Sequence, residues 1–174
     1  DVESGKLVCT LRGHQDQIQG GCFTRDGRRI VTYSGDLTVA IWDAARGQLL
    51  HRLAGHVGFV GRALPSPDGG CIASSGPSGE ICLWAADEGR RLIELSPQVS
   101  PAPDPGRGEA QTFLVQSRSP HRLFLCTELL GEQGVRGLSL WDAASGQHLQ
   151  RLTGEVGHLA GAQLRPDGQV LLAT

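Results

Sequence analysis

A unit that opens on Gly-His, turns at Asp-Gly and closes on Trp-Asp recurs along this chain, and no other feature limits its possible folds so sharply. The clearest copy runs from Gly13-His14 through Asp26-Gly27 to Trp42-Asp43. A second runs from Gly55-His56 through Pro67-Asp68-Gly69 to Trp84, a third ends on Trp141-Asp142, and a fourth contains Pro166-Asp167-Gly168. The frame is regular at first. Asp1 to Asp43 is 42 positions and Asp43 to Ala85 is 42 again, with Asp1-Val2-Glu3-Ser4-Gly5 aligned on Asp43-Ala44-Ala45-Arg46-Gly47. A segment this short cannot bury an apolar face alone, so the copies must stack on one another.

Inside each copy the signals are those of short strands. Ile30, Val31, Val39 and Ile41 supply β-branched content, and Asp26-Gly27 and Ser34-Gly35-Asp36 supply hairpin turns. The 25 glycines suit a fold of many tight turns. Strands are expected at 7–11, 17–23, 29–33, 38–42 and 49–53, then at 59–64, 71–75, 80–84 and 91–95. The third copy is irregular, since Trp84 to Trp141 is 57 positions rather than 42. A Pro-rich insert near 96–108 accounts for most of the excess and reads as an extended loop. Strands are expected to resume at 111–116, 122–127, 137–141 and 149–152, then at 159–164 and 170–173. Asp26, Asp68 and Asp167, each before a glycine, read as turn formers.

The Gly-His and Trp-Asp pairs at this spacing resemble the WD-repeat family of β-propellers. The resemblance implies an all-β fold, a partial propeller of four-stranded antiparallel blades. About three blades would be nearly complete, with parts of two more, in an open arc. Residues 1–174 would then be a fragment of one propeller domain, in repeat units of about 1–42, 43–84, 85–141 and a truncated 142–174. In this family the strand before each Gly-His is the outer strand of the preceding blade. Asp1 therefore reads as the aspartate of a Trp-Asp pair entered in mid-repeat, and the absence of methionine fits a piece of a longer protein.

Composition narrows the partners. A formal net charge of -2 argues against a nucleic-acid or membrane surface role, and no apolar run approaches the length of a spanning helix. Five cysteines without CxxC spacing read as small buried hydrophobes, which places the protein in the cytoplasm or another reducing intracellular compartment.

His14, Thr32, Asp36 and Trp42 have the residue types of a catalytic relay, but the resemblance implies another role. Blades of the family carry a hydrogen-bonded tetrad of the Gly-His histidine, a Ser or Thr, a turn aspartate and the Trp-Asp tryptophan. All four are present in the first blade, where they would lock the strands in register. The second blade keeps His56, Ser74 and Trp84 but has Ser78 in the aspartate's place. The third keeps only Trp141, and the fourth has Gly154-Glu155 where Gly-His belongs. Stability is accordingly expected to fall along the chain from the first blade. No GxSxG, HExxH, P-loop or GxGxxG motif is present, so neither an enzyme nor a cofactor or metal is expected.

The resemblance also implies where partners dock: on the loops before each first strand and on the turns between second and third strands. Gln17, Phe59 and His158 occupy the first kind of position, and Gly35 and Pro77 the second. The expected function is a non-enzymatic scaffold for other proteins or peptides, joined to the remaining blades of a parent chain. The alternative is a regulatory or sensing propeller attached to a catalytic module, such as a nucleotide-switch ATPase or a ubiquitin-ligase subunit.

Overall fold

The structure is a computed structural model that describes residues 2–76 and 80–95 and, beyond them, the strands at 115–116, 123–129, 135–142, 147–152, 161–164 and 170–173. The first repeat forms β1 (Ile18–Phe23), β2 (Arg29–Ser34), β3 (Thr38–Asp43) and β4 (Leu49–Ala54), one antiparallel sheet in the order β1-β2-β3-β4. The second forms β5 (Arg62–Pro65), β6 (Cys71–Ser75), β7 (Ile81–Ala85) and β8 (Arg90–Leu95) in the same order. A third four-stranded sheet holds β9 (Val115–Gln116), β10 (Leu123–Leu129), β11 (Val135–Asp142) and β12 (Gln147–Leu152), and β13 (Gly161–Leu164) pairs with β14 (Val170–Ala173).

The turns follow from the residues that the frame repeats. Gly27 and Gly69 sit at φ 69° and 74°, which a residue with a Cβ resists. One position before each, the aspartate accepts from a strand-end hydroxyl, Thr24 to Asp26 at 2.6 Å and Ser66 to Asp68 at 2.6 Å. The tryptophans mark a second recurring device. The register of the outer strand slips between Ile41 and Trp42, between Leu83 and Trp84, and between Leu140 and Trp141. A bulge there raises the local twist of each sheet. The third sheet therefore keeps this feature although its sequence has lost the Gly-His pair.

Two expected strands are corrected. Residues 7–11 form no strand: Cys9 lies against the turn that follows β3, its thiol 3.9 Å from the Ala44 carbonyl, with no ladder formed. The expected strand at 59–64 begins only at Arg62. The Val60 N–H has been drawn to the Ser34 carbonyl of the neighbouring sheet, at 3.1 Å, which removes it from its own ladder.

That bond belongs to a larger junction. Strand alternation turns Val31, Val39, Ile41 and Leu53 of the first sheet toward the second. There they form one cluster with Val60, Ala63, Ile72, Cys82, Trp84 and Ala86. Arg29 reaches Asp87 across the junction at 2.6 Å, and the Cys22 thiol reaches the Ala63 carbonyl at 3.8 Å. Burying one Val, Leu or Ile side chain contributes roughly 1.5–3 kcal/mol, whereas an exposed ion pair contributes at most about 1 kcal/mol. The apolar contact therefore holds the blades together, and the polar bonds fix their register.

Candidate functional site

The polar residues of the first blade form a directed chain. Trp42 Nε1–H donates to Thr32 Oγ1 at 2.8 Å, and that oxygen lies 2.7 Å from His14 Nε2. His14 Nδ1 lies 2.8 Å from Asp36 Oδ2. A carboxylate can only accept, so the ring proton sits on Nδ1, and Nε2 accepts from the threonine hydroxyl. Asp36 comes from the turn between β2 and β3 and also ties down its surroundings. It accepts from the Gln15 N–H at 2.9 Å, from the Thr38 hydroxyl at 2.6 Å and N–H at 3.1 Å, and from Arg52 at 3.4 Å. Burial works to raise its pKa, but the bonds from Thr38, Gln15 and His14 prevail and hold the carboxyl well below the usual range.

The second blade repeats the chain with a different acid. Trp84 Nε1–H donates to Ser74 Oγ at 2.7 Å, and Ser74 Oγ lies 2.6 Å from His56 Nε2. At Nδ1 stands Glu80, with Oε1 at 2.7 Å, and the same oxygen accepts from the Val57 N–H at 3.3 Å. This corrects the expectation that the second blade lacks a carboxylate. Glu80 begins two residues after the expected position, and its extra methylene lets it reach the ring. An acid two places from an empty frame position was the signal that could have found it. Ser78 itself lies outside the described residues, as do Pro77 and His158. Trp141 is placed in β11, opposite Phe124, by its backbone register.

These chains are closed to outside chemistry. Thr32 and Ser74 are buried, and each hydroxyl oxygen already serves both a tryptophan and a histidine. Among the described residues no buried side-chain polar atom lacks a partner, and no three His, Cys, Asp or Glu side chains are grouped to hold a metal. Burial pushes the Cys82 thiol up to about 11, with Glu94 adding to the shift and Arg91 opposing it, so Cys82 is a poor nucleophile at neutral pH. No helix among the described residues is long and apolar enough to cross a membrane.

The open chemistry lies at one end of the sheets. The Gly35 N–H donates to the Gln17 carbonyl at 2.9 Å, and the neighbouring Ser34 carbonyl receives Val60. Gln17, Gly35 and the Phe59–Val60 pair are thereby brought together. Gln17 is exposed and Gly35 half-buried, with Asp16 packed against the latter. Phe59 is 46% exposed and Val57, two residues earlier, 82%. Ile18, which pairs with Ser34, and Leu37 in the adjoining turn are exposed as well. Val57, Ile18 and Leu37 were not singled out in the sequence, where each reads as an ordinary strand or turn residue.

Comparison with known proteins agrees with this geometry. The family described as WD domain, G-beta repeat matches residues 5–43 and 47–85. The small ribosomal subunit protein RACK1 of Caenorhabditis elegans is 28% identical over 153 residues, 87% of this chain and 42% of the relative. The probable E3 ubiquitin ligase complex SCF subunit sconB of Arthroderma benhamiae is 44% identical over 62 residues, 36% of this chain and 9% of the relative. Among solved structures, the crystal structure of RRP9 WD40 repeats superposes with a TM-score of 0.68 at 20% identity, over 93% of this chain and 52% of that one. The chain spans about half, or less, of the proteins it matches. Domains of this kind generally mediate protein interactions and are typically non-catalytic. Repeat, sheet order and likeness together make this chain a member of the WD40-repeat β-propeller family.

Proposed function

We propose that the chain is a non-catalytic interaction scaffold that docks a protein partner on the loop end formed by Gln17, Gly35 and Phe59. One observation carries the reading. Phe59 and Val57 stand exposed on a loop that His56 and Val60 pin from below and from the side. A large apolar side chain held in the open on a fixed backbone loses little conformational freedom on binding, which is how interface anchors contribute most. Neither side chain joins the core beneath it, so the fold does not require them.

A paired substitution tests it. Gln17→Ala with Phe59→Ala should lose the partners that the parent protein captures, while Leu50→Ala, on the outer strand, retains them. An unchanged set of partners from a folded double variant would place the docking surface elsewhere.

A second reading treats the propeller as the sensing or recruiting part of a protein with a catalytic module. It draws on the similarity to sconB, whose name makes that protein a subunit of a ubiquitin ligase complex. A ligase-recruiting or ATPase segment beside the propeller in the full-length gene product would favour it over the plain scaffold.

A further inference from the structure

The two histidine chains differ at three frame positions at once. Ser34, Asp36 and Thr38 of the first blade correspond, 42 residues on, to Gly76, Ser78 and Glu80. Thr38 Oγ1 already lies 3.5 Å from His14 Nδ1, so the position that Glu80 occupies is within reach of the ring nitrogen. A longer side chain from that position needs room, and Gly76 supplies it. A Cβ at residue 76 would stand 2.7 Å from Glu80 Oε1, closer than any real contact allows. In the first blade the same position carries Ser34, whose hydroxyl bonds the Asp16 and Gln17 carbonyls instead.

We infer that the acid of the second blade has been transposed from the turn to the foot of β7, with Gly76 as the compensating change, and that Glu80 is the residue positioning His56. Both His56 ring nitrogens are occupied, Nδ1 by Glu80 and Nε2 by Ser74. No nitrogen is left for Ser78 to serve. What specifies the chain is a carboxylate oxygen at Nδ1, whichever residue delivers it. A further consequence concerns recognition. Glu80 holds the exposed loop through His56 and the Val57 N–H, so the acid that completes the polar chain also fixes the docking loop. That consequence rests on the docking reading above, whereas the transposition does not.

The test uses the full chain, with thermal unfolding and the proton resonance of the His56 Nδ1–H as readouts. A ring N–H bonded to a buried carboxylate is protected from exchange, and a general loss of packing would not remove it selectively. Glu80→Ala should lower the midpoint by on the order of 5–10 °C and abolish the resonance, while Ser78→Ala leaves both unchanged. Loss of the resonance in Ser78→Ala, or its survival in Glu80→Ala, overturns the inference. Should Glu80→Ala fail to fold, the first blade provides the reciprocal experiment. Asp36→Ser should lose the His14 resonance, and adding Thr38→Glu with Ser34→Gly should restore it. Failure to restore it in a folded protein also overturns the inference. Neither readout depends on a partner, so a misplaced docking surface would leave both results standing.

Discussion

The first and second blades present the same face to very different surroundings. Ile18 and Val60 occupy one frame position, and Phe23 and Pro65 another. Ile18 is 47% exposed and Phe23 63%, whereas Val60 is fully buried and Pro65 is buried as well. The residues are equally apolar. What differs is the neighbour, since the second blade has the first packed against this face and the first has none among the described residues. The tryptophans show the limit of the contrast. Trp42 and Trp84 are both buried, because the chain around Gly13 folds over Trp42, and a Cβ at Gly13 would stand 3.0 Å from its Cη2. In a stacked repeat the burial of a side chain is thus a property of the pair of blades, and the polar chain within each blade is protected separately.

The largest test of this contrast removes the two histidines in turn. His56→Ala takes from the buried Glu80 the ring that its Oε1 bonds and should cost about 3–5 kcal/mol. His14→Ala should cost less, because Asp36 keeps Thr38, the Gln15 N–H and Arg52. Equal losses in urea titrations would mean that the bonds Asp36 keeps contribute nothing. The exposed face can be probed directly. Val60→Ala should cost about 2–3 kcal/mol and Ile18→Ala under about 0.5 kcal/mol, and similar values would show the faces to be equally packed in solution. A further test concerns charge. Asp36→Asn should cost about 1–2 kcal/mol at neutral pH. The folded pKa of Asp36 lies below its unfolded value, so this contribution is complete above about pH 4 and is lost as pH falls through the depressed value. The midpoints of parent and variant should therefore converge in acid, and a constant gap from pH 7 down to strong acid would refute the assignment.

Much of this architecture was legible before any packing. The 42-residue frame, the Asp-Gly turns and the β-branched runs place eight strands of the first two sheets within a few residues, because each signal is carried by adjacent side chains and backbone angles. The His14, Thr32, Asp36 and Trp42 set could be named for the same reason, as every member stands at its expected place. Glu80 could not, because the distance from a strand residue to a ring nitrogen depends on where two strands lie and on the space that Gly76 leaves. The start of β5 was misjudged for a related reason: the Val60 N–H chose a carbonyl in another sheet.

The frame, the strand order within a blade and the residues that turn the chain are local matters, and the repeat dictates them by itself. Which acid serves a histidine, which copy of an apolar face is covered, and which loops meet at the open end are decided across sheets. Such choices depend on side-chain reach and on neighbours far away in sequence, and those exist only once the blades have stacked.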